Sequence, residues 1–324
     1  MSTINVDVIN YQSNIFQNVT ISGVPIKSQA SNQLRVGTPI ILGTNTGINE
    51  TSFGINNLLL STGNGNTAIG YQVLLNNTTG QANTGLGLMA LQYNTTAASN
   101  TAIGASALQN TNTGGANTAL GNTAGYNNTT GYSNVFVGNT AGNANTTGAI
   151  NVCVGAGAGV ANTTGNSNVF VGNSAGYTQT SGNNNIFLGD SSTGATTTAS
   201  NAITLGNSSN TILRCAVTSI TSLSDARDKK EIVELPVGLE FIEGLKPVSF
   251  VWDDRNEEGK HDVKDFGFIA QDLKKSQEDA ELSDMLKLVY EENPEKLEAS
   301  YGKLIPILVK AIQELSAEVK SLKK

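Results

Sequence analysis

Between residues 66 and 206 the apolar positions come in short triplets, each closed by a glycine. Gly70, Gly87, Gly104, Gly121, Gly138, Gly155, Gly172, Gly189 and Gly206 stand 17 residues apart throughout. The residue before each is aliphatic: Ile69, Leu86, Ile103, Leu120, Val137, Val154, Val171, Leu188 and Leu205. Two positions earlier come Thr67, Thr84, Thr101 and Thr118, then Val135, Val152, Val169 and Ile186. Positions two apart share a face of a strand. This pair is therefore expected to point into a core and to stack on its counterparts in neighbouring coils. The position between them runs from Ala68, Gly85, Ala102 and Ala119 to Phe136, Cys153, Phe170 and Phe187, and it points the other way. A strand apolar on both faces is normally covered on both. Here the small residues permit close approach and the Phe residues fill a wider gap.

The same step carries Asn66, Asn83, Asn100, Asn117, Asn134, Asn151, Asn168 and Asn185, and a Thr-Gly or Ser-Gly turn in most coils. Glycine at both turns supplies positive φ without steric cost. A small-residue series, Val73, Ala90, Ala107, Ala124, Ala141, Ala158 and Ala175, is placed on a second short strand. Asn at a fixed coil position can build amide ladders along a stack. The fold class expected is mainly β: a β-solenoid of 17-residue coils, trimeric, followed by an α+β domain that ends in a coiled-coil helix. Residues 49–65 read as a degenerate first coil, with Asn49, Gly54 and Thr62-Gly63. About nine coils at ~4.8 Å each make a rod roughly 40–45 Å long, stabilised by stacking neighbours rather than by any single coil.

Composition alone would place this region with low-complexity chains, since it is poor in charge and rich in Gly, Asn, Ser and Thr. The strict register argues otherwise. Charge changes the picture further along. Residues 1–223 hold only Asp7, Lys27, Arg35, Glu50, Asp190 and Arg214, while residues 224–324 hold 16 basic and 23 acidic side chains. Two units with different physics are expected. The domain plan is residues 1–48 as an N-terminal attachment segment, 49–210 as the solenoid, 211–223 as a linker near Ser219–Leu223, and 224–324 as a C-terminal domain. A net charge of −7 argues against nucleic acid as a partner. Two cysteines and one histidine offer neither a disulfide framework nor a metal site, and no cofactor is expected. No run is long and apolar enough to cross a membrane, and the N-terminus lacks the signature of a secretory signal. One carboxylate, Asp190, between residues 51 and 223 disfavours a glycoside hydrolase, which normally pairs two.

The segments NTAIGASAL (100–108) and NVFVGNTAG (134–142) resemble the head repeats of YadA-like trimeric adhesins over about residues 49–210. The C-terminal domain carries a more specific set. Ser224-Asp225-x-Arg227-x-Lys229, Gly267-Phe268-Ile269-Ala270-Gln271-Asp272 and the terminal Tyr301…Leu304-Ile305-Pro306…Ala311-Ile312-Gln313-Glu314-Leu315 resemble the S74 peptidase family. This is the intramolecular chaperone domain of phage tail spikes and fibres, with relatives in endosialidases and myelin regulatory factor. That resemblance implies a domain that trimerises, registers three shaft chains and then cuts itself off. It assigns Ser224 as nucleophile and Lys229 as its base, with the scissile bond at Leu223–Ser224. Asp225 and Arg227 are either an ion pair that orders the loop or solvated charges. Gln271 either orients the cleavage loop or is a polar helix-start residue, with Gly267 beside it. From the residues alone, Ser224 also fits a helix N-cap. Asp228, beside Lys229, stands where the family usually has an apolar residue. His261 is read as exposed in a polar loop, and Phe250 and Trp252 as strand core.

The chain end is legible from spacing. Ile305, Leu308, Ile312, Leu315, Val319 and Leu322 fall 3-4-3-4-3 apart, an a/d heptad seam. Ile at a with Leu at d leans toward two strands in isolated peptides; the resemblance and the shaft ask for three. The reading is a homotrimeric fibre, spike or appendage protein of a phage-type virion, assembled in the host cytoplasm and cutting itself once. Its partners are two further copies of the chain, a virion or tail base at the N-terminus, and a host-surface receptor or glycan. The rivals are a cellular trimeric surface adhesin and an ice- or glycan-binding solenoid.

Overall fold

In the computed structural model, described residues are 6–11, 14–21, 24–29, 33–36, 50–210, 212–214, 224–253 and 261–323. The chain separates into two units, residues 1–207 and 208–324. The first is built on one continuous sheet. Four antiparallel strands, β1 (Val6–Tyr11), β2 (Asn14–Ile21), β3 (Val24–Gln29) and β4 (Gln33–Val36), form a meander. Then β4 pairs in parallel with β5 (Thr51–Ile55). The segment expected to serve as an attachment thus continues the sheet at backbone level, which its sequence did not announce.

From β5 onward every strand is parallel to the next: β6 (Thr67–Tyr71), β7 (Thr84–Leu88), β8 (Thr101–Ile103), β9 (Thr118–Leu120), β10 (Val135–Val137), β11 (Val152–Val154), β12 (Val169–Val171), β13 (Ile186–Leu188) and β14 (Ile203–Leu205). Thr84 pairs with Thr101, Thr101 with Thr118 and Val135 with Val152, so the sequence period is the coil. This is a parallel β-solenoid of about nine coils. Its first coil is one residue short, since Thr51 pairs with Thr67. Asn49 lies outside the described residues. Glu50 takes the place at the head of the Asn series, where it accepts from Ser61 Oγ at 2.5 Å and Asn66 Nδ2 at 3.2 Å.

Three expectations are corrected. First, the inside and outside of the strand are exchanged. The middle position (Ala68, Ala102, Ala119, Phe136, Cys153, Phe170, Phe187) is the buried core. The flanking aliphatics point outward, with Leu120 46 % and Leu205 53 % exposed. Second, the Val73–Ala175 series is fully buried, but it sits in turns and not on a second strand. Between strands, the coils are joined by backbone bonds such as Leu74 N–H to Ala90 O and Leu91 N–H to Ala107 O. Third, the Thr-Gly turn does not use positive φ at its glycine. Ala82, Ser99, Ala116 and Ser133, two residues later, carry it instead. A Cβ at Gly114 would collide with the carbonyl oxygen of Gly131, so glycine is there for close approach of coils.

The Phe residues do not fill a wider gap. They fill room vacated across the coil. Where the strand is small (Ala68, Gly85, Ala102), the residue six positions on is buried Leu74, Leu91 or Leu108. Where the strand carries Phe136 or Phe170, that partner is Gly142 or Gly176, whose Cβ would run into the ring. In these coils large and small exchange, in keeping with close packing; at Ala119 both positions are small, and the space at its partner Gly125 is taken by Phe136 and Leu108 of the neighbouring coils. Phe170 and Phe187 stack with centroids 5.3 Å apart.

Two polar ladders replace what a second strand would have supplied. In the first, each Asn side chain from Asn83 to Asn185 serves its neighbours in the stack. Asn134 Nδ2 donates to Asn117 Oδ1 at 3.1 Å and to Gly148 O at 2.8 Å, and its own N–H reaches Asn117 Oδ1 at 3.0 Å. All of these asparagines are fully buried. Burying amides is costly unless each is bonded, so the ladder fixes the residue type at every coil. The second ladder runs through Asn77, Asn94, Thr111, Asn128, Asn145 and Asn162.

The second unit is a small α+β region. It contains α1 (Leu239–Gly244), the hairpin β15 (Val248–Asp253) and β16 (His261–Gly267), α2 (Ala270–Asp279), α3 (Ser283–Leu286), the short pair β17 (Val289–Tyr290) and β18 (Glu298–Ala299), and α4 (Leu304–Leu322). Its core is Leu286, Leu288, Leu304 and Ile307, flanked by Val237, Phe241, Ile242 and Phe268. Among the described residues no helix is long and apolar enough to cross a membrane.

Candidate functional site

The segment that opens the second unit has too few apolar residues to be buried, and local polar bonds shape it instead. Asp225 is extended (φ −68°, ψ 134°), and its carboxylate accepts from the N–H of Arg227 at 2.9 Å, capping a 3-10 turn at Ala226–Asp228. The N-cap is therefore Asp225, not Ser224. Arg227 closes back on the same carboxylate through Nε, at 3.0 and 3.1 Å, and through its terminal nitrogen at 2.5 Å. These bonds hold the Asp225 carboxyl below its usual range and raise the Arg227 guanidinium; hydrogen bonding between the two side chains is the main cause of each shift. The pair is exposed, and its worth lies in shaping the turn.

The turn brings residue 229 back over residue 224. Lys229 leaves the turn extended, with its N–H bonded to Ala226 O at 3.2 Å. Its Nζ lies 2.5 Å from Ser224 Oγ and 3.2 Å from Ser224 O. A hydroxyl and an amine at hydrogen-bond distance are the geometry required of a nucleophile and its base. Both residues are exposed, as is Asp228. Leu223 lies outside the described residues.

Gly267 and Gln271 stand elsewhere in the unit. Gly267 ends β16, and a Cβ there would press on the Tyr301 hydroxyl. That hydroxyl accepts from Phe268 N–H at 3.2 Å and donates to Phe268 O at 3.1 Å, and the two rings meet edge to face at 5.7 Å. Gln271 is exposed on the first turn of α2. Among the described residues no hydrogen bond joins Gly267 or Gln271 to the Ser224–Lys229 loop. Trp252 is 40 % exposed rather than core; it meets Phe250 edge to face and donates to Asp265 Oδ2 at 3.1 Å. His261 begins β16, and its side chain lies outside the described residues.

On α4 the heptad positions are all exposed, from Leu308 at 42 % to Leu322 at 85 %. A different stripe, Leu304, Ile307 and Ala311, packs into the unit. Two residues missed in the sequence hold the unit together. Buried Gln277 accepts from Leu288 N–H at 2.9 Å. Glu314 on α4 accepts from Leu239 N–H at 2.7 Å and so caps α1. Gln277 lies in no motif; Glu314 lies in the terminal motif, but its capping role does not show there, and only the fold brings each to its partner. Among the described residues no three His, Cys, Asp or Glu side chains gather as a metal site.

The chain thus joins a parallel β-solenoid to a small α+β unit whose first turn pairs a serine with a lysine. Residues 224–282 match the family model Peptidase S74, the chaperone of endosialidase. The match opens on Ser224 and ends before α3. No curated protein and no solved structure gives a significant match to the chain.

Proposed function

We propose that the chain is a subunit of a homotrimeric, phage-type fibre or spike, in which residues 224–324 assemble the trimer, register the solenoid and then release themselves by one cut at Leu223–Ser224. The observation that carries this is the Lys229 Nζ to Ser224 Oγ approach of 2.5 Å, at the first residue of the chaperone match. The α4 seam supplies the trimer contact, and the N-terminal strands supply attachment to a virion or tail base. The solenoid surface faces the host, and the repeats play the part of an adhesin-like head.

The step balances as follows. Neutral Lys229 takes the Ser224 hydroxyl proton, and Oγ attacks the Leu223 carbonyl carbon. The C–N bond breaks, Lys229 returns the proton to the departing Ser224 amine, and water hydrolyses the ester. Burial favours the neutral amine. The dyad is open to water in a single chain, so cover from neighbouring copies couples cleavage to assembly. Cutting only assembled chains lets the chaperone leave after its work is done.

The test is expression of the intact chain, with mass measured under denaturing conditions and light scattering under native ones. A fragment matching residues 224–324, absent in Ser224→Ala and in Lys229→Ala, supports the dyad. An uncut trimer retains the chaperone and removes the protease. An uncut monomer removes both.

A further inference from the structure

The chain contains one Asn-Gly step, Asn64–Gly65, in the bend that leads into β6. Both residues are exposed, and Gly65 adopts φ +70° with open space where a Cβ would stand. The same place in later coils is held by backbone bonds. Ala82 N–H donates to Asn64 O at 2.9 Å, Ser99 N–H to Gln81 O at 2.9 Å and Ala116 N–H to Ala98 O at 3.0 Å, each tying its coil to the one before. Gly65 N–H makes no hydrogen bond among the described residues. Asparagines elsewhere in the solenoid are followed by engaged donors. After buried Asn134, Val135 N–H donates to Asn151 O at 2.8 Å. After exposed Asn122 and Asn166, Thr123 N–H donates to Ala105 O at 2.9 Å and Ser167 N–H to Ala149 O at 3.0 Å.

We infer that Asn64–Gly65 is a site of spontaneous covalent modification, at which the side-chain amide is converted to aspartate and isoaspartate. Asparagine is among the heat-labile residues, and here the nucleophile it needs is at hand. The Gly65 nitrogen loses its proton to solvent base and attacks Asn64 Cγ. The new C–N bond closes a succinimide ring, and the bond from Cγ to the amide nitrogen breaks with loss of ammonia. Water then opens the ring at either carbonyl, leaving aspartate or isoaspartate at position 64. Two features of the site serve this chemistry. The nitrogen is not committed as a donor, and the missing side chain at residue 65 leaves the attack unhindered and the backbone free to rotate. At Thr123 or Ser167 the same rotation breaks a bond between coils and meets a side chain. The product alters the first coils. Isoaspartate carries the chain through Cβ and Cγ, so the carbonyl that accepts from Ala82 N–H leaves the main chain as a carboxylate. No Asp, Glu, Lys, Arg or His stands between positions 51 and 189, and the change sets a negative charge on that surface. The reaction involves the solenoid alone and proceeds whether or not the C-terminal unit is released.

The test is incubation of the full chain at pH 8.5 and 37 °C. Solenoid peptides are separated and weighed at intervals, and isoaspartate is scored by enzymatic methyl transfer to its free carboxylate. The expected result is conversion at position 64 at least tenfold faster than at Asn122 or Asn166, with isoaspartate the larger product. Gly65→Ala, which installs the residue that Ala82 and Ala116 supply in later coils, should slow conversion at least tenfold. If that variant does not fold, Asn64→Gln, which copies Gln81, should remove the fast release of ammonia. Conversion at position 64 no faster than at Asn122 and Asn166 overturns the inference. So does a parent rate in Gly65→Ala, or ammonia release at the parent rate in Asn64→Gln.

Discussion

The second polar ladder has a flaw in its middle, and repairing it tests whether these ladders stabilise the coil. At Asn145, Nδ2 donates to Asn128 Oδ1 at 2.7 Å and to Gly148 O at 2.9 Å. At the same place one coil earlier than Asn128 stands Thr111, buried, whose Oγ1 has no hydrogen-bond partner among the described residues. Its neighbour Asn94 is left with Oδ1 equally unpartnered. Asparagine has nearly the volume of threonine, so Thr111→Asn adds bonds without overpacking. By analogy with Asn145, its amide would donate to Asn94 Oδ1 and Gly114 O, and its oxygen would accept from Asn128. A buried polar group left without a partner costs about 1–3 kcal/mol. Satisfying Asn94 Oδ1 and removing the orphaned hydroxyl should gain about 2 kcal/mol, or roughly 4–8 °C in the melting point of a unit this size. The assay is far-UV circular dichroism on the full chain at fixed concentration, with amide hydrogen exchange around residues 94–128 as a local readout. Asn145→Thr, which copies the flaw into an intact coil, should lose a similar amount. If both variants melt with the parent, the ladders are fillers and the reasoning fails.

Other outcomes follow from the packing. Gly142→Leu should unfold or severely destabilise the solenoid, by more than about 3 kcal/mol, because the new side chain meets the Phe136 ring. Adding Phe136→Ala should recover at least half of the loss, as a double-mutant cycle of melting curves will show. Burial pushes the Cys153 thiol up to about 12. Cys153 should therefore resist alkylation at pH 8 in the folded chain and react after denaturation, as read by peptide mass. A raised folded-state value also means that its stabilising effect is complete below about pH 9 and fades as pH rises toward 12. Glu314→Ala should cost about 1 kcal/mol in the C-terminal unit through loss of the α1 cap, and Glu314→Gln should keep most of it, measured by denaturant titration.

How much of this was legible depended on whether a signal was local and repeated. The period, the strand triplets and the Asn ladder were all visible, because each coil restates them and stacking forces like onto like. The facing of the strand was not. Both of its sides are apolar, and pattern alone does not say which one a single chain encloses. The answer lay in a correlation six residues apart: Leu108 with Ala102, Gly142 with Phe136. That exchange of large and small is written in the sequence, but it reads as packing only once the coil brings the two positions together. At the candidate site, Ser224 and Lys229 were named from a resemblance, and the turn capped by Asp225 explains their approach. Gln277 carried no signal and Glu314 only its place in the terminal motif, because their partners are backbone groups 11 and 75 residues away.

Those same repeats explain why such a shaft needs a separate unit to set alignment in the proposed trimer. Moving one copy by a whole coil lays Val152 and Val154 where Val135 and Val137 stood, and nearly the same surface results. Only where Thr118 gives way to Val135 does the outward row change character, and a single Thr-for-Val mismatch is a weak penalty. In the proposed trimer such a repeated surface would let copies meet without telling them where to start. The heptad row of α4 has no 17-residue echo, so it defines one level for all copies. Its 19 residues make it too short to act alone; the small core around Leu288 and Ile307 fixes its inner stripe and leaves the outer one free to pair. Association that starts there converts a choice among many near-equal alignments into one, and stacking then follows from a fixed end.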